Sequence, residues 1–362
     1  MPLCRPEQCA SKPVVRAASL LQLDPDRSEF MNRRTLLRLA ALGTFSAATL
    51  NSSHGRSLDD SELERALRTF GDQSPDSASA SIVIEDGLTT VRHSVNADLP
   101  LFVGSAIKTF ILAQYLKEVE AGRLSEEAQL DVGPKVWSPS SPVLIHLQGT
   151  TTARSVLEAM IAHSDNTATD IALNTIGPDK VRALIKSAGL DQTRIPDSTR
   201  ILFSYLAGAP EGTDVGWAGI SKVMAGTLPG PPRAAINDHQ TMVSTAAEMT
   251  DWYRHVLAGK YFEKPQTLAE FKRISAMAGA IPQTIPLDIM GYGKGGNLDW
   301  NGFHCFSLAG QMVLPTQRVN FCFTINWTGD DASVPTTFSN YIKQCRHLLR
   351  MVAAAQLPLK VN

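Results

Sequence analysis

The chain has 362 residues, 43% hydrophobic and 19% charged, an ordinary composition for a globular protein with enough length for one large domain or two modest ones. Its formal net charge of −1 offers no broad basic surface to neutralise phosphates, which excludes a dedicated nucleic-acid binder. No internal repeat or low-complexity tract is visible, so repeat and disordered architectures are excluded as well.

Residues 1–30 show no periodic pattern and read as an upstream extension outside the fold, with Met31 as the working start. Paired Arg33 and Arg34 then precede an apolar run from Leu39 to Leu50, so 31–54 reads as a twin-arginine export signal and the product as periplasmic or secreted. The run is too short to span a bilayer comfortably, and an ordinary amphipathic helix is the alternative. Residues 55–362 are expected to form the folded domain. Cys4 and Cys9 would leave with the leader. Cys305, Cys322 and Cys345 then remain, an odd number that leaves at least one unpaired, and the strand-like apolar runs around Cys305 and Cys322 predict small buried thiols rather than a disulfide.

A short charged helix is predicted over Asp59 to Phe70. Ile82, Val83 and Ile84 make a strand over Ala80 to Glu85, turned at Asp86-Gly87 into a second strand over Thr89 to Ser94. Ser105 to Glu120 has the strongest helical spacing, closed by Gly122. A Ser/Pro-rich loop, Gly133 to Pro142, separates it from helices over Thr152 to His163, Asn166 to Thr175 and Asp179 to Ala188. Residues 195–240 have weak periodicity. Helices follow at Ser244 to Ala258 and Thr267 to Met277. Three antiparallel strands come next, at Asp288 to Lys294, His304 to Leu314 and Arg318 to Trp327, and a terminal helix runs from Ser333 to Ala355. Strands at both ends around central helices predict an α+β fold with one sheet collected from both ends.

Three short motifs occur in one order: Ser105-Ala106-Ile107-Lys108, Ser164-Asp165-Asn166 and Lys294-Gly295-Gly296. Together they supply a hydroxyl nucleophile, an amine base, a second hydroxyl and a cationic strand. Ser105 at a helix start lies beside free N–H groups that stabilise an oxyanion, and Lys108 falls one turn on, on the same face. The amine can accept the serine proton only when largely neutral, a state that burial and a cationic neighbour such as Lys294 promote. Ser164 suits a proton relay to the leaving nitrogen. Asn166 is expected to donate to Lys108 and to a substrate amide, and Asp165 to cap the following helix. The ordinary alternatives are an N-cap serine, a surface lysine and a glycine bulge.

These motifs resemble those of the penicillin-recognising serine hydrolases, the β-lactamase and penicillin-binding protein superfamily, most closely the class A β-lactamases. The resemblance runs over about residues 80 to 350 and extends to Met160 through Ala168 around the second motif. It implies a β-lactamase/transpeptidase-like fold, with an antiparallel sheet flanked by helices beside a mostly helical lobe. The helical lobe would take about 105–240, the sheet lobe 80–104 and 241–356, and the site the cleft between them. By the same resemblance Ser105, Lys108 and Ser164 are catalytic. Asn166, Lys294, Gly295, Gly296 and Asn297 bind substrate, with the N–H groups of Ser105 and Asn297 as the oxyanion hole.

Two departures from that pattern stand out. Gly295 replaces a threonine whose hydroxyl the family uses on the substrate carboxylate. No glutamate stands near Thr199, where the family's deacylating carboxylate would align. Asp197 is a candidate substitute, although Arg194 and Arg200 could hold it in an ion pair, and Glu211 is a weaker one. His304 lies close to where the family often places a carboxylate-binding arginine. Scattered histidines and the lack of a paired-ligand motif predict no metal, and no glycine fingerprint predicts a nucleotide cofactor.

The chain is therefore expected to be a serine hydrolase acting through an acyl-enzyme on a β-lactam or a related amide or ester. It is expected to be a monomer without cofactor, whose partner is a small β-lactam or peptidoglycan-like substrate. The alternatives are a β-lactam- or peptidoglycan-binding protein with slow or no turnover, and a related DD-peptidase or esterase.

Overall fold

A computed structural model describes residues 59–74 and 77–355. The upstream extension and the export-signal stretch lie outside the described residues. No described helix is long and apolar enough to cross a membrane.

The chain opens with α1 (Asp60–Gly71), capped by the Asp59 carboxylate, which accepts from Ser61 and Glu62 N–H. The antiparallel strands β1 (Ala78–Glu85) and β2 (Thr90–Val95) follow. In their turn the Asp86 side chain accepts from Leu88 and Thr89 N–H, and Gly87 supplies φ +90°. After β3 (Leu101–Phe102), a single 3-10 turn (Gly104–Ile107) leads into α2 (Lys108–Glu120). The ribbon β4 (Gln129–Val132) and β5 (Gly149–Thr152), not foreseen from the sequence, precedes α3 (Ala153–Ala162), α4 (Asn166–Ile176) and α5 (Pro178–Ser187). Then come α6 (Thr199–Leu206), α7 (Gly216–Met224), β6 (Val243–Ser244), α8 (Ala246–Leu257) and α9 (Pro265–Ser275). The chain closes with β7 (Met290–Trp300), β8 (Phe303–Val313), β9 (Arg318–Thr328) and α10 (Val334–Ala354).

The main sheet has the order β2-β1-β9-β8-β7, antiparallel throughout. Strand alternation gives it two apolar faces. On one, Phe323 meets Phe70 of α1, and Phe306 meets Phe338 and Tyr341 of α10. On the other, Ser81 Oγ lies 3.2 Å from Thr250 Oγ1 of α8. α2 is buried along most of its length, unlike a surface helix, because α4, α5 and α9 pack around it. α9 also lies on α3, so the helical layer draws on residues beyond 240. Cys305, Cys322 and Cys345 are free, buried thiols.

Three local differences from the sequence reading have physical causes. Ser105 sits in the 3-10 turn rather than the α-helix, because Gly104 takes φ +53° and turns the chain just before it. β7 runs on to Trp300, well past Lys294. The two-residue Asn301-Gly302 turn, with φ +49° and +75°, pairs Trp300 with Phe303, the geometry of a type I′ hairpin. Within 195–240, α6 and α7 form, and the loop beyond α7 crosses back over α6 where Gly208 and Gly230 touch backbone to backbone.

Candidate active site

The three motifs meet between the sheet and the helices. Lys108, the first residue of α2, is fully buried, and its Nζ donates to Ser164 O at 2.7 Å, Asn166 Oδ1 at 2.7 Å and Ser164 Oγ at 3.3 Å. None of these partners is a carboxylate. Asn166 therefore accepts from Lys108 instead of donating to it, and its Nδ2 donates to Pro139 O at 2.8 Å. Ser164 is half-buried in the tight turn between α3 and α4 at φ +57°, a left-handed conformation rare for a non-glycine residue. Asp165 caps α4 by accepting from Ala168 N, and its other oxygen accepts from Val143 and Leu144 N, which seats the Ser/Pro-rich loop. From the edge strand β7, buried Lys294 donates to Ser164 Oγ at 3.0 Å and Gly295 O at 2.7 Å.

Burial disfavours both ammonium groups. The Lys108 amine is pushed down to about 7 by desolvation, against the opposing pull of Asp165 and Asp170. Lys294 is held well below the ordinary lysine range by burial and by the neighbouring Lys108 charge.

β7 presses directly on the nucleophile turn. A β-carbon on Gly296 would lie 2.0 Å from Val103 O and 2.8 Å from Ser105 N, so only glycine admits this approach. A β-carbon on Gly104 would likewise meet Asn297 N at 3.0 Å. The turn thereby brings half-buried Ser105 and exposed Asn297 alongside each other. Gly295 has its own cause: a β-carbon there would lie 2.7 Å from the Ala280 methyl, so a threonine would force Ala280 aside.

Asp197 and His304 stand apart from this cluster. Asp197 accepts from Arg182 at 2.6 Å and from Gln240 Nε2 at 2.6 Å. Its ion pair is thus with Arg182, not with Arg194, which goes to Asn237 O, or Arg200, which goes to Asp214. Glu211 pairs with His239 at 2.9 Å. His304 is fully buried, with its ring nitrogens 2.8 Å from Asp299 Oδ1 and 2.9 Å from Gly329 O. It stacks on Trp327, on the sheet face that Phe306 shares with α10, and has no nitrogen left for a substrate.

One group of functional relevance was not foreseen from the sequence. Ser138, Thr199 and Asp170 form a buried polar cluster behind Asn166. Asp170 lies four positions after Asn166, one turn along the same helix, and that spacing was the available signal. Among the described residues no group of three His, Cys, Asp or Glu side chains converges as metal ligands.

The chain matches a known family. A family model described as "Beta-lactamase enzyme family" matches residues 62–303, more than half of the chain. The chain belongs to this β-lactamase family. Among solved structures, the β-lactamase of Sphaerobacter thermophilus superposes with a TM-score of 0.61 at 17% identity, covering 83% of this chain and 99% of that one. PBP-A gives a TM-score of 0.59 at 18% identity, covering 83% and 97%. The chromosome-encoded β-lactamase of Vibrio parahaemolyticus gives 0.61 at 17% identity, covering 80% and 98%. At these identities the β-lactamase structures establish the shared fold alone. Among curated protein sequences, none matches the chain.

Proposed function

We propose that this β-lactamase-family protein is an exported serine acyl-transfer enzyme in which Ser105 forms an ester with a β-lactam or peptidoglycan-like amide, and that the ester is released slowly. The observation that carries this reading is the state of Lys108: a fully buried amine near neutrality, one turn from Ser105, bonded to Ser164 and Asn166. Neutral Lys108 takes the Ser105 proton as Oγ bonds to the carbonyl carbon. The carbonyl oxygen gains charge beside the N–H groups of Ser105 and Asn297. When the C–N bond breaks, the nitrogen takes the Ser164 proton, which Lys108 replaces across their 3.3 Å contact. Lys294 offers its charge to a substrate carboxylate, with Asn166, Gly295 and Gly296 along the same wall.

Slow release is favoured by the Thr199 position. Thr199 carries no carboxylate, and its hydroxyl turns inward to Asp170 at 2.6 Å. Asp197 is occupied by Arg182 and Gln240. A variant of the similar PBP-A is described as an acyl-enzyme complex with penicillin G.

Intact-protein mass spectrometry with a penicillin, followed by peptide mapping, tests the proposal. A mass increase of one penicillin on Ser105 that persists for minutes, and is lost in Ser105→Ala, is expected. Fast turnover of a chromogenic cephalosporin would overturn slow release. Neither adduct nor turnover would overturn the reading.

A further inference from the structure

Asp170 is a fully buried carboxylate that the acylation steps do not use. Its Oδ1 accepts from Thr199 N and Thr199 Oγ1, both at 2.6 Å. Its Oδ2 accepts from Ser138 Oγ at 2.8 Å and Arg200 N at 3.1 Å. Four donors fill the acceptor sites of a carboxylate, so Asp170 has no lone pair left to activate a water. It cannot serve as the missing deacylation base.

Its partners nevertheless lead to the amine. Ser138 precedes Pro139, whose carbonyl accepts from Asn166 Nδ2, and Asn166 Oδ1 accepts from Lys108. On the other side, Thr199 Oγ1, its proton given to Asp170, packs 3.3 Å from Asn166 O. Ser138 N also donates to Thr167 Oγ1 of α4 at 2.9 Å. We infer that Asp170 is a positioning residue, whose carboxylate clamps the start of α6 and the Ser138-Pro139 loop onto α4 and thereby fixes the Asn166 amide that holds Lys108.

The charged groups around Lys108 are few. Asp165 and Asp170 come from α4 and Lys294 from β7, while the Arg200 guanidinium of α6 is turned away to Asp214. Asp165 and Asp170 both favour the protonated amine against its burial. Burial raises the Asp170 acid against its four donors, so above that raised value removing its charge leaves Lys108 easier to deprotonate.

The inference rests on the proposed acylation but has a readout independent of it. Lysine labelled with carbon-13 at Cε is titrated by NMR in the full chain, the Lys108 resonance being assigned by its loss in Lys108→Arg. Asp170→Asn is expected to move the Lys108 midpoint to lower pH. Ser138→Ala, which removes one bond and no charge, should leave the midpoint in place and slow Ser105 acylation. Asp170→Ala should slow acylation by about tenfold or more, since it frees both walls of Asn166. Parental acylation in Ser138→Ala and Asp170→Ala overturns the clamp, and an unchanged midpoint in Asp170→Asn removes the carboxylate's charge from the account of Lys108. If the parent acquires no penicillin adduct, the proposed reaction falls, and the clamp is read instead from the Asn166 side-chain amide resonance, which should shift in Ser138→Ala and Asp170→Ala; an unmoved amide overturns the clamp.

Discussion

Lys108 and Lys294 converge on one oxygen: their Nζ atoms lie 3.3 Å and 3.0 Å from Ser164 Oγ, arriving from α2 and from β7. A hydroxyl has two lone pairs and one proton. With both pairs engaged by the amines, the proton is directed to a third partner, the arrangement a relay to a leaving nitrogen requires. Two buried ammonium groups around one oxygen also repel each other, so the site works with one of them largely neutral.

A pH profile checks this directly. Lys108 must be neutral to act as base, and its amine titrates at about 7. Acylation of Ser105 should therefore fall by about tenfold per pH unit on the acid side of that midpoint. Lys294 loses its charge well below the usual lysine range, so substrate binding should weaken as pH rises through that lowered value. Second-order acylation rates measured across the pH range would show the acid-side fall set by Lys108. A flat profile between pH 5 and 8 would remove Lys108 from its assigned role.

Gly296→Ala should damage the site from the sheet side. The added methyl meets Val103 O and Ser105 N, both backbone atoms that cannot swing away. The expected result is a loss of about 1–3 kcal/mol in stability and at least about a tenfold loss in acylation. Denaturant unfolding and the adduct assay read the two effects. A stable variant that acylates like the parent would mean β7 does not set the position of the nucleophile turn.

Thr199→Glu, the change that would supply the absent carboxylate, is expected to fail by itself. The side chain is fully buried and directed at Asp170, so a second carboxylate would enter a shell whose acceptors are already filled. Leaving one buried charge unpaired costs about 3–5 kcal/mol. Combining Thr199→Glu with Asp170→Asn should recover most of the melting temperature. The comparison is a double-mutant cycle by thermal denaturation, and additive effects would contradict it.

Glu126 offers a stability test away from the site. Burial and the facing Glu270 carboxyl raise its acid to about 7, and its buried Oε1 has no hydrogen-bond partner. The folded value lies above the unfolded one of 4.5, so the penalty is nearly absent at pH 4, grows as pH rises past 4.5 and is fully developed above pH 7. Glu126→Gln should raise the melting temperature at pH 8 by roughly 2 °C and leave it nearly unchanged at pH 4. Equal shifts at both pH values would refute the assignment.

Much of this arrangement was legible in the chain, and the remainder was hidden for definite reasons. The α+β order followed from the apolar run Ile82-Val83-Ile84, the helical spacing over Ser105 to Glu120 and the cap at Asp165. The three motifs were singled out by their resemblance to a known family's pattern, and in the structure Lys108, Ser164, Asn166 and Lys294 lie in one cluster. α6 and α7 were missed because glycine and proline around them mask short helices whose form depends on tertiary ties such as Arg200 to Asp214. The continuation of β7 was missed because Gly291, Gly293, Gly295 and Gly296 give no alternation, while the Asn301-Gly302 signal was there to be read. His304 could not be placed from sequence, since its neutral-looking position near the third motif says nothing of which sheet face it takes.

That same hairpin carries a consequence for the cleft. Because consecutive strand residues point to opposite sides, adding or deleting one residue at Asn301-Gly302 would slide β7 by one pairing against β8. Lys294 would then swap sides with its neighbours and turn its amine away from Ser164, to the face where Gly295 meets Ala280. The placement of a buried cation beside Ser164 thus depends on the span of a loop seven residues further along the chain.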